Sequence, residues 1–290
     1  MGEASHGRGD KCSAVWSNRR VPAEYPPKHH MMRDLRMSIE RAEGGGRAIL
    51  PIVPEILSDQ GAVCAGALAT LVDVYCGGLA LDVAQPNWLA TLDLSLHLLR
   101  PLVRGSVVAR GSVLRAGRQT VVLEVALEDD AGVEAGLATM TFAILERRAD
   151  TPVYARDFGA PRTEFALPDS GLSAPFAERL GIRVIDAAAG VAELEMSDYV
   201  VNSLSALQGG AAATLIDVAS VALGGELLGA KVTTTDLEVH YLALGKLAPI
   251  RAQARVLRRD SHSAALRVLV RESGPDARLC YVATTRVASR

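Results

Sequence analysis

AVCAGALATLVDV, residues 62–74, recurs 144 positions later as ALQGGAAATLIDV, residues 206–218, with eight of thirteen positions identical. The matches include Gly66/Gly210, Thr70/Thr214 and Asp73/Asp217. Each run is apolar on every side, the pattern of a helix enclosed by its own protein. Each also carries one acid, and a carboxylate in apolar surroundings is costly unless it is paired or put to use. The chain is thus one unit written twice, and the repeated Asp is the main handle on function.

The repeat extends to both sides of the helix. Upstream, MSIERAEGGGRAILPIV (37–53) alternates around Gly44-Gly45-Gly46 as two short strands do. The second copy repeats this from Gly181 through Gly190 to Met196, with Gly46 and Gly190 again 144 apart. Downstream, Thr91–Leu99 matches Thr234–Leu242 with an offset of 143 and period-two alternation. In the first copy Asp93, Ser95 and His97 fall on one face and Leu92, Leu94, Leu96 and Leu98 on the other. Three further strands are expected at about 106–115, 119–128 and 134–145, and at about 250–258, 262–271 and 278–287. Each unit reads β-β-α-β-β-β-β, an α+β pattern. Four consecutive strands with no helix between them disfavour a parallel α/β architecture. The expected organisation is a leader of little fixed structure (1–30), unit one (31–146), a linker (147–174) and unit two (175–290).

Composition narrows the function. A net charge of −2 and a pI near 6.3 give no basic face for nucleic acid. Residues 62–84 and 206–229 are long enough to span a bilayer, but a mid-helix Asp and flanking soluble-type strands argue for core helices instead. The four cysteines (12, 64, 76 and 280) have no CxxC spacing. With no secretory leader at the start, they read as free thiols of a cytoplasmic protein. No metal-ligand spacing or dinucleotide fingerprint is present, and no cofactor is expected.

The pattern Asn202, Ser205, Gln208, Gly209, Gly210 and Asp217, with Ser58, Gly61, Cys64, Ala65, Gly66 and Asp73 in the first copy, resembles hotdog-fold acyl-CoA thioesterases. The nearest likeness is to their phenylacetate-pathway type, in which the frame is Asn, Gly, His, Gly, Gly and an acid. Ser205 stands for the first glycine, and Gln208 and Cys64 for the histidine. The resemblance implies a tandem double hotdog, each unit an antiparallel sheet wrapped around one long helix. It also implies that the two units pair as an intrachain pseudo-dimer, which can associate further.

The resemblance further implies composite sites, each joining the helix start of one unit to the acid of the other. One would combine Asn202, Gln208 and the Gly209 N–H with Asp73 and Thr91. The other would combine Ser58, Cys64 and the Ala65 N–H with Asp217 and Thr234 or Thr235. Gly209-Gly210 would let substrate approach closely, with Gly210 and, in the other site, Gly66 as substrate-binding positions. The chemistry fits these residue types: unpaired N–H groups at a helix start polarise a carbonyl, and a carboxylate in an apolar cleft serves as base or nucleophile. Coenzyme A enters only as part of the substrate.

Plainer readings stand beside these. The Asp can bond to backbone, the glycines can serve packing, and Cys64 can be an ordinary buried thiol. His97 and His240, beside Asp93 and Asp236, read as surface hydrogen-bonding groups. The alternative function is a non-catalytic acyl-CoA or fatty-acyl binding protein whose site has decayed.

Overall fold

The computed structural model describes residues 25–42, 45–147, 161–274 and 276–289. Most of the expected leader (1–24), Gly44 of the first glycine turn and residues 148–160 of the linker lie outside the described residues. In the first unit α1 (Met31–Asp34) precedes β1 (Ser38–Ala42) and β2 (Gly45–Pro51). Then come α2 (Ala65–Ala84), β3 (Trp88–Leu98), β4 (Ser106–Ala116), β5 (Thr120–Glu128) and β6 (Glu134–Leu145). A short β7 (Arg162–Glu164) leads to α3 (Phe176–Arg179), β8 (Ile182–Asp186), β9 (Val191–Leu194) and α4 (Gly209–Leu228). The chain ends with β10 (Thr233–Tyr241), β11 (Ile250–Arg259), β12 (Ser263–Glu272) and β13 (Leu279–Ala288).

All thirteen strands form one sheet in the order β7-β1-β2-β4-β5-β6-β3-β10-β13-β12-β11-β9-β8. The halves meet where β3 pairs antiparallel with β10. Ser95 lies opposite Glu238, its own repeat mate, so a pseudo-two-fold axis passes between them. Two histidine–carboxylate hydrogen bonds related by that axis flank it: His97 Nδ1 to Asp236 Oδ1 at 2.9 Å, and His240 to Asp93. The matched histidines therefore bond across the copies. Beneath them Leu94, Leu96, Leu237 and Val239 are buried.

The alternation read from the sequence breaks at one place in each copy. Leu92 in β3 and Thr235 in β10 are extra residues in β-bulges, between Thr91 and Asp93 and between Thr234 and Asp236. A bulge puts two residues opposite one and turns the side chain before it. Strict alternation places Thr91 on the outer face with Asp93. The bulge instead brings its hydroxyl inward to the helix.

Both helices are long enough and apolar enough to cross a membrane, yet each is mostly buried inside its own sheet. They also meet each other. A Cβ built on Gly66 would lie 2.6 Å from Thr214 Cα, and one on Gly210 would lie 2.5 Å from Thr70 Cα. No side chain fits there, so the glycine of each helix is what lets the other approach. This corrects the expected role of Gly66 and Gly210, which are buried at the helix crossing.

Residues 25–30, assigned to the leader by sequence, pack against the second unit. His30 is fully buried; its Nδ1 accepts from the Met32 N–H and its Nε2 donates to Val201 O at 3.0 Å. Burial lowers its pKa to about 4, which keeps the ring neutral and suited to both bonds. Asp34 accepts from the Tyr199 hydroxyl at 2.9 Å, and the Met31 N–H bonds Tyr199 O. Within the expected linker, β7 pairs with β1 and extends the first half-sheet.

Candidate active site

The loop before each helix has the same shape in both copies and is held differently. In the second copy the Asn202 side-chain oxygen accepts from the Leu204 and Ala206 N–H groups at 2.9 and 3.1 Å. This Asx-type arrangement fixes the turn, and Ser205 takes the left-handed conformation (φ 54°). In the first copy Gly61 supplies that conformation (φ 74°), where it carries no steric penalty. Ser58, at the Asn202 position, has a buried hydroxyl with no partner.

The second loop delivers Gln208 to the start of α4. Its side-chain oxygen accepts from the Ala211 N–H at 3.0 Å, capping the helix, while Nε2 donates to Asp73 Oδ2 at 2.6 Å. The Thr91 hydroxyl donates to the other oxygen, Oδ1, at 3.1 Å. Gly209 completes the group: a Cβ there would lie 2.9 Å from Asp73 Oδ1, so the carboxylate rests against a bare Cα. Asp73, Thr91, Asn202, Gln208 and Gly209 all border one cavity of about 330 Å³. Among the described residues the Gly209 and Gly210 N–H groups find no acceptor. The positive end of α4 therefore faces the carboxylate with two donors unspent. The Tyr241 hydroxyl donates to Gly209 O at 3.0 Å and steadies this turn.

Burial raises the Asp73 pKa to about 6, opposed by the Thr91 hydrogen bond. A carboxyl with that value is ionised at neutral pH yet basic enough to take a proton from water.

The second constellation is built from the same parts and closed on itself. Asp217 is buried; it accepts from the Thr234 hydroxyl at 2.6 Å and the Gly66 N–H at 2.9 Å, with the Ala65 N–H also directed at it. The amides expected to face a substrate carbonyl are occupied by the acid. Burial raises the Asp217 pKa, while Thr234 and the two amides oppose the shift. Cys64 begins α2 without capping it, and burial, with Asp217 nearby, pushes its thiol up to about 12. A thiol so disfavoured as thiolate is a poor nucleophile. Thr235 corrects the expectation differently: its hydroxyl bonds Asp236 and Arg286 O, on the side of β10 away from Asp217.

The sequence reading missed most of the apolar wall. Gly77, Gly78 and Leu81 continue the Asp73 face of α2, with Trp88 and Phe142 beside them. Tyr25 and Met32 line the cavity from the segment that crosses to the second unit. One signal was present: Gly77-Gly78 is matched in the repeat by Val221-Ala222.

The thioesterase superfamily model matches residues 60–135 and 205–277, one match per unit and about half the chain together. A Saccharolobus solfataricus protein named "Putative esterase SSO2140" is 28% identical over 105 residues, 36% of this chain and 75% of that protein. Among solved structures, a conserved hot dog fold protein of unknown function from Alicyclobacillus acidocaldarius superposes with a TM-score of 0.60. The two share 14% identity over 90% of this chain and 97% of that one. An acyl-ACP thioesterase from Bacteroides thetaiotaomicron superposes with a TM-score of 0.58 and 13% identity, over 84% and 98% of the two chains. At such identities the solved structures show the fold alone, and that fold is a tandem hotdog.

Proposed function

The chain belongs to the thioesterase superfamily, and from that premise we propose that it hydrolyses an acyl-CoA thioester at the composite site around Asp73. One observation carries the reading. A carboxylate of the first unit lies against the Gly209 Cα of the second unit, and both residues border an apolar cavity in which the Gly209 amide is unspent.

In this reading the acyl chain lies in the cavity with its carbonyl oxygen on the Gly209 N–H. Asp73 takes a proton from water as the water oxygen bonds to the carbonyl carbon. The resulting oxyanion is held by the amide donors and the helix dipole. When the C–S bond breaks, the sulfur leaves with the proton held on Asp73, giving free acid and free CoA thiol. Gln208 and Thr91 orient the carboxylate, and Asn202 keeps the donor loop in shape. Alternatively Asp73 attacks the carbonyl carbon itself, the C–S bond breaks with loss of the CoA thiolate, which takes a proton from water, and water then hydrolyses the mixed anhydride to free acid and Asp73.

The test is release of free thiol from a panel of acyl-CoAs by the wild type and by Asp73→Asn. We expect turnover that falls by at least about 10³ in the variant, the scale on which such groups act. Equal rates in the two proteins would remove Asp73 from the chemistry. Gln208 engages one carboxylate oxygen, and this favours a second reading in which the site only binds acyl-CoA. Calorimetric binding by the wild type without thiol release would select it.

A further inference from the structure

We infer that Gly77 and Gly78 set the depth of the acyl arm, and that the preferred acyl group is apolar and of medium chain length. The inference rests on the acyl-thioester reading of this site and deepens it.

Glycine is a weak helix former, so a Gly-Gly pair inside a 20-residue helix calls for a reason. For most other glycines of these helices the reason is contact: at Gly66, Gly210 and Gly224 an added Cβ would lie within 2.6 Å of a neighbouring atom, whereas at Gly225, in the last turn of α4, the nearest atom would be 3.7 Å away. At Gly77 and Gly78 it would meet no atom within 4 Å, although Gly78 is buried. Packing of the protein against itself therefore does not need these glycines. The space they leave open is the cavity that also borders Asp73. The repeat supplies a control, since Val221 and Ala222 occupy the matching positions behind Asp217, where the acid is sealed on α2.

Length follows from helix geometry. Asp73, Gly77 and Leu81 lie one turn apart on one face of α2 and all border the cavity. At ~1.5 Å per residue that face runs about 12 Å. An extended chain covers ~1.2 Å per bond, so the arm takes about ten bonds. This is longer than a benzoyl or phenylacetyl group fills. Buried Leu81, Trp88 and Leu89 wall the arm; the exposed lining side chains are Leu242 and Leu244 on the rim beside Tyr241, and Leu145, the strand partner of Trp88. Among the described residues no charged side chain other than Asp73 lines the cavity, so a dicarboxylic acyl group has no partner in it.

The experiment measures kcat/KM for thiol release along a straight-chain series from acetyl- to palmitoyl-CoA, with benzoyl- and phenylacetyl-CoA included. The proteins are the wild type, Gly77→Val, Gly78→Val and the Gly77→Ala/Gly78→Ala double variant. Calorimetric binding of non-hydrolysable acyl-CoA thioethers runs alongside. The wild type is expected to peak near octanoyl to decanoyl, gaining about four-fold per methylene up to that point. In the valine variants the ratio of decanoyl to butanoyl is expected to fall ten-fold or more. The alanine variant should show a smaller shift in the same direction with a thermal midpoint no lower than wild type, which reads the effect even if valine impairs folding. A wild-type peak at acetyl or an aryl group, variants that keep the profile or lose all chain lengths equally, or no thioether binding at all would each overturn the inference. Thioether binding with the expected profile but no thiol release would refute hydrolysis and leave the acyl arm standing. Thiol release with an unmoved profile would do the reverse.

Discussion

Two aspartates with the same place in the repeat have different surroundings, and residue-scale behaviour follows from that. Asp73 must be ionised to accept a proton, so kcat/KM is expected to fall as pH drops through about 6, the value to which burial raises it. A pH–rate profile flat from pH 5 to 8, on the scale of about two units around that value, would contradict the assignment. Stability has the opposite sign. The folded-state pKa lies above the usual carboxylate value, so Asp73's stabilising contribution is present below about pH 4 and lost as pH rises through about 6. Asp73→Asn should therefore raise the thermal midpoint at pH 8 and change it little near pH 4. Asp73 takes both its hydrogen bonds from side chains, whereas Asp217 takes one from the Thr234 hydroxyl and the other from the Gly66 amide of the facing helix. Asp217→Ala leaves those buried donors unpaired, and a loss of about 1–3 kcal/mol is expected in denaturant unfolding. Turnover at the Asp73 site should persist in the folded fraction.

At the scale of elements, the two helices depend on glycines with opposite functions. At Gly210 an added Cβ would lie 2.5 Å from Thr70 Cα, so Gly210→Ala must push α2 and α4 apart. We expect about 1–3 kcal/mol of lost stability by the same unfolding measurement, together with loss of turnover as Gln208 draws away from Asp73. Helix and strand positions were legible in the sequence because their signals are periodic and each was written twice. The bulges were not, because an extra residue in a strand leaves no mark on a composition of Leu and Thr. The alternation of Leu92, Leu94 and Leu96 reads straight through the place where the strand turns. The site was legible in part for a similar reason. Asp73, Thr91, Gln208 and Gly209 stand in a recognisable frame. That Ala65 and Gly66 spend their amides on Asp217 depends on how two helices cross, and no local pattern records that. The N-terminal segment likewise looked structureless because its partly buried partners, Tyr199 and Val201, lie about 170 residues away in sequence.

At the scale of the molecule, the seam between β3 and β10 holds the two halves in register. Its histidine–carboxylate pairs are close to half exposed, with side-chain exposures from 42% to 53%. Such pairs contribute about 0–1 kcal/mol each, so His97→Ala/His240→Ala should lower the denaturation midpoint only slightly. A large loss would mean that the seam rests on these side-chain contacts and not on its backbone ladder and buried leucines. The seam also explains why one chain replaces two. In a pair of identical subunits every substitution is made twice, and neither copy of an acid can be retired while the other stays in service. Once the copies share a reading frame, each can drift alone. Asp217, held by an amide of the helix it faces, can then serve the join between the halves while Asp73 keeps its place on the cavity.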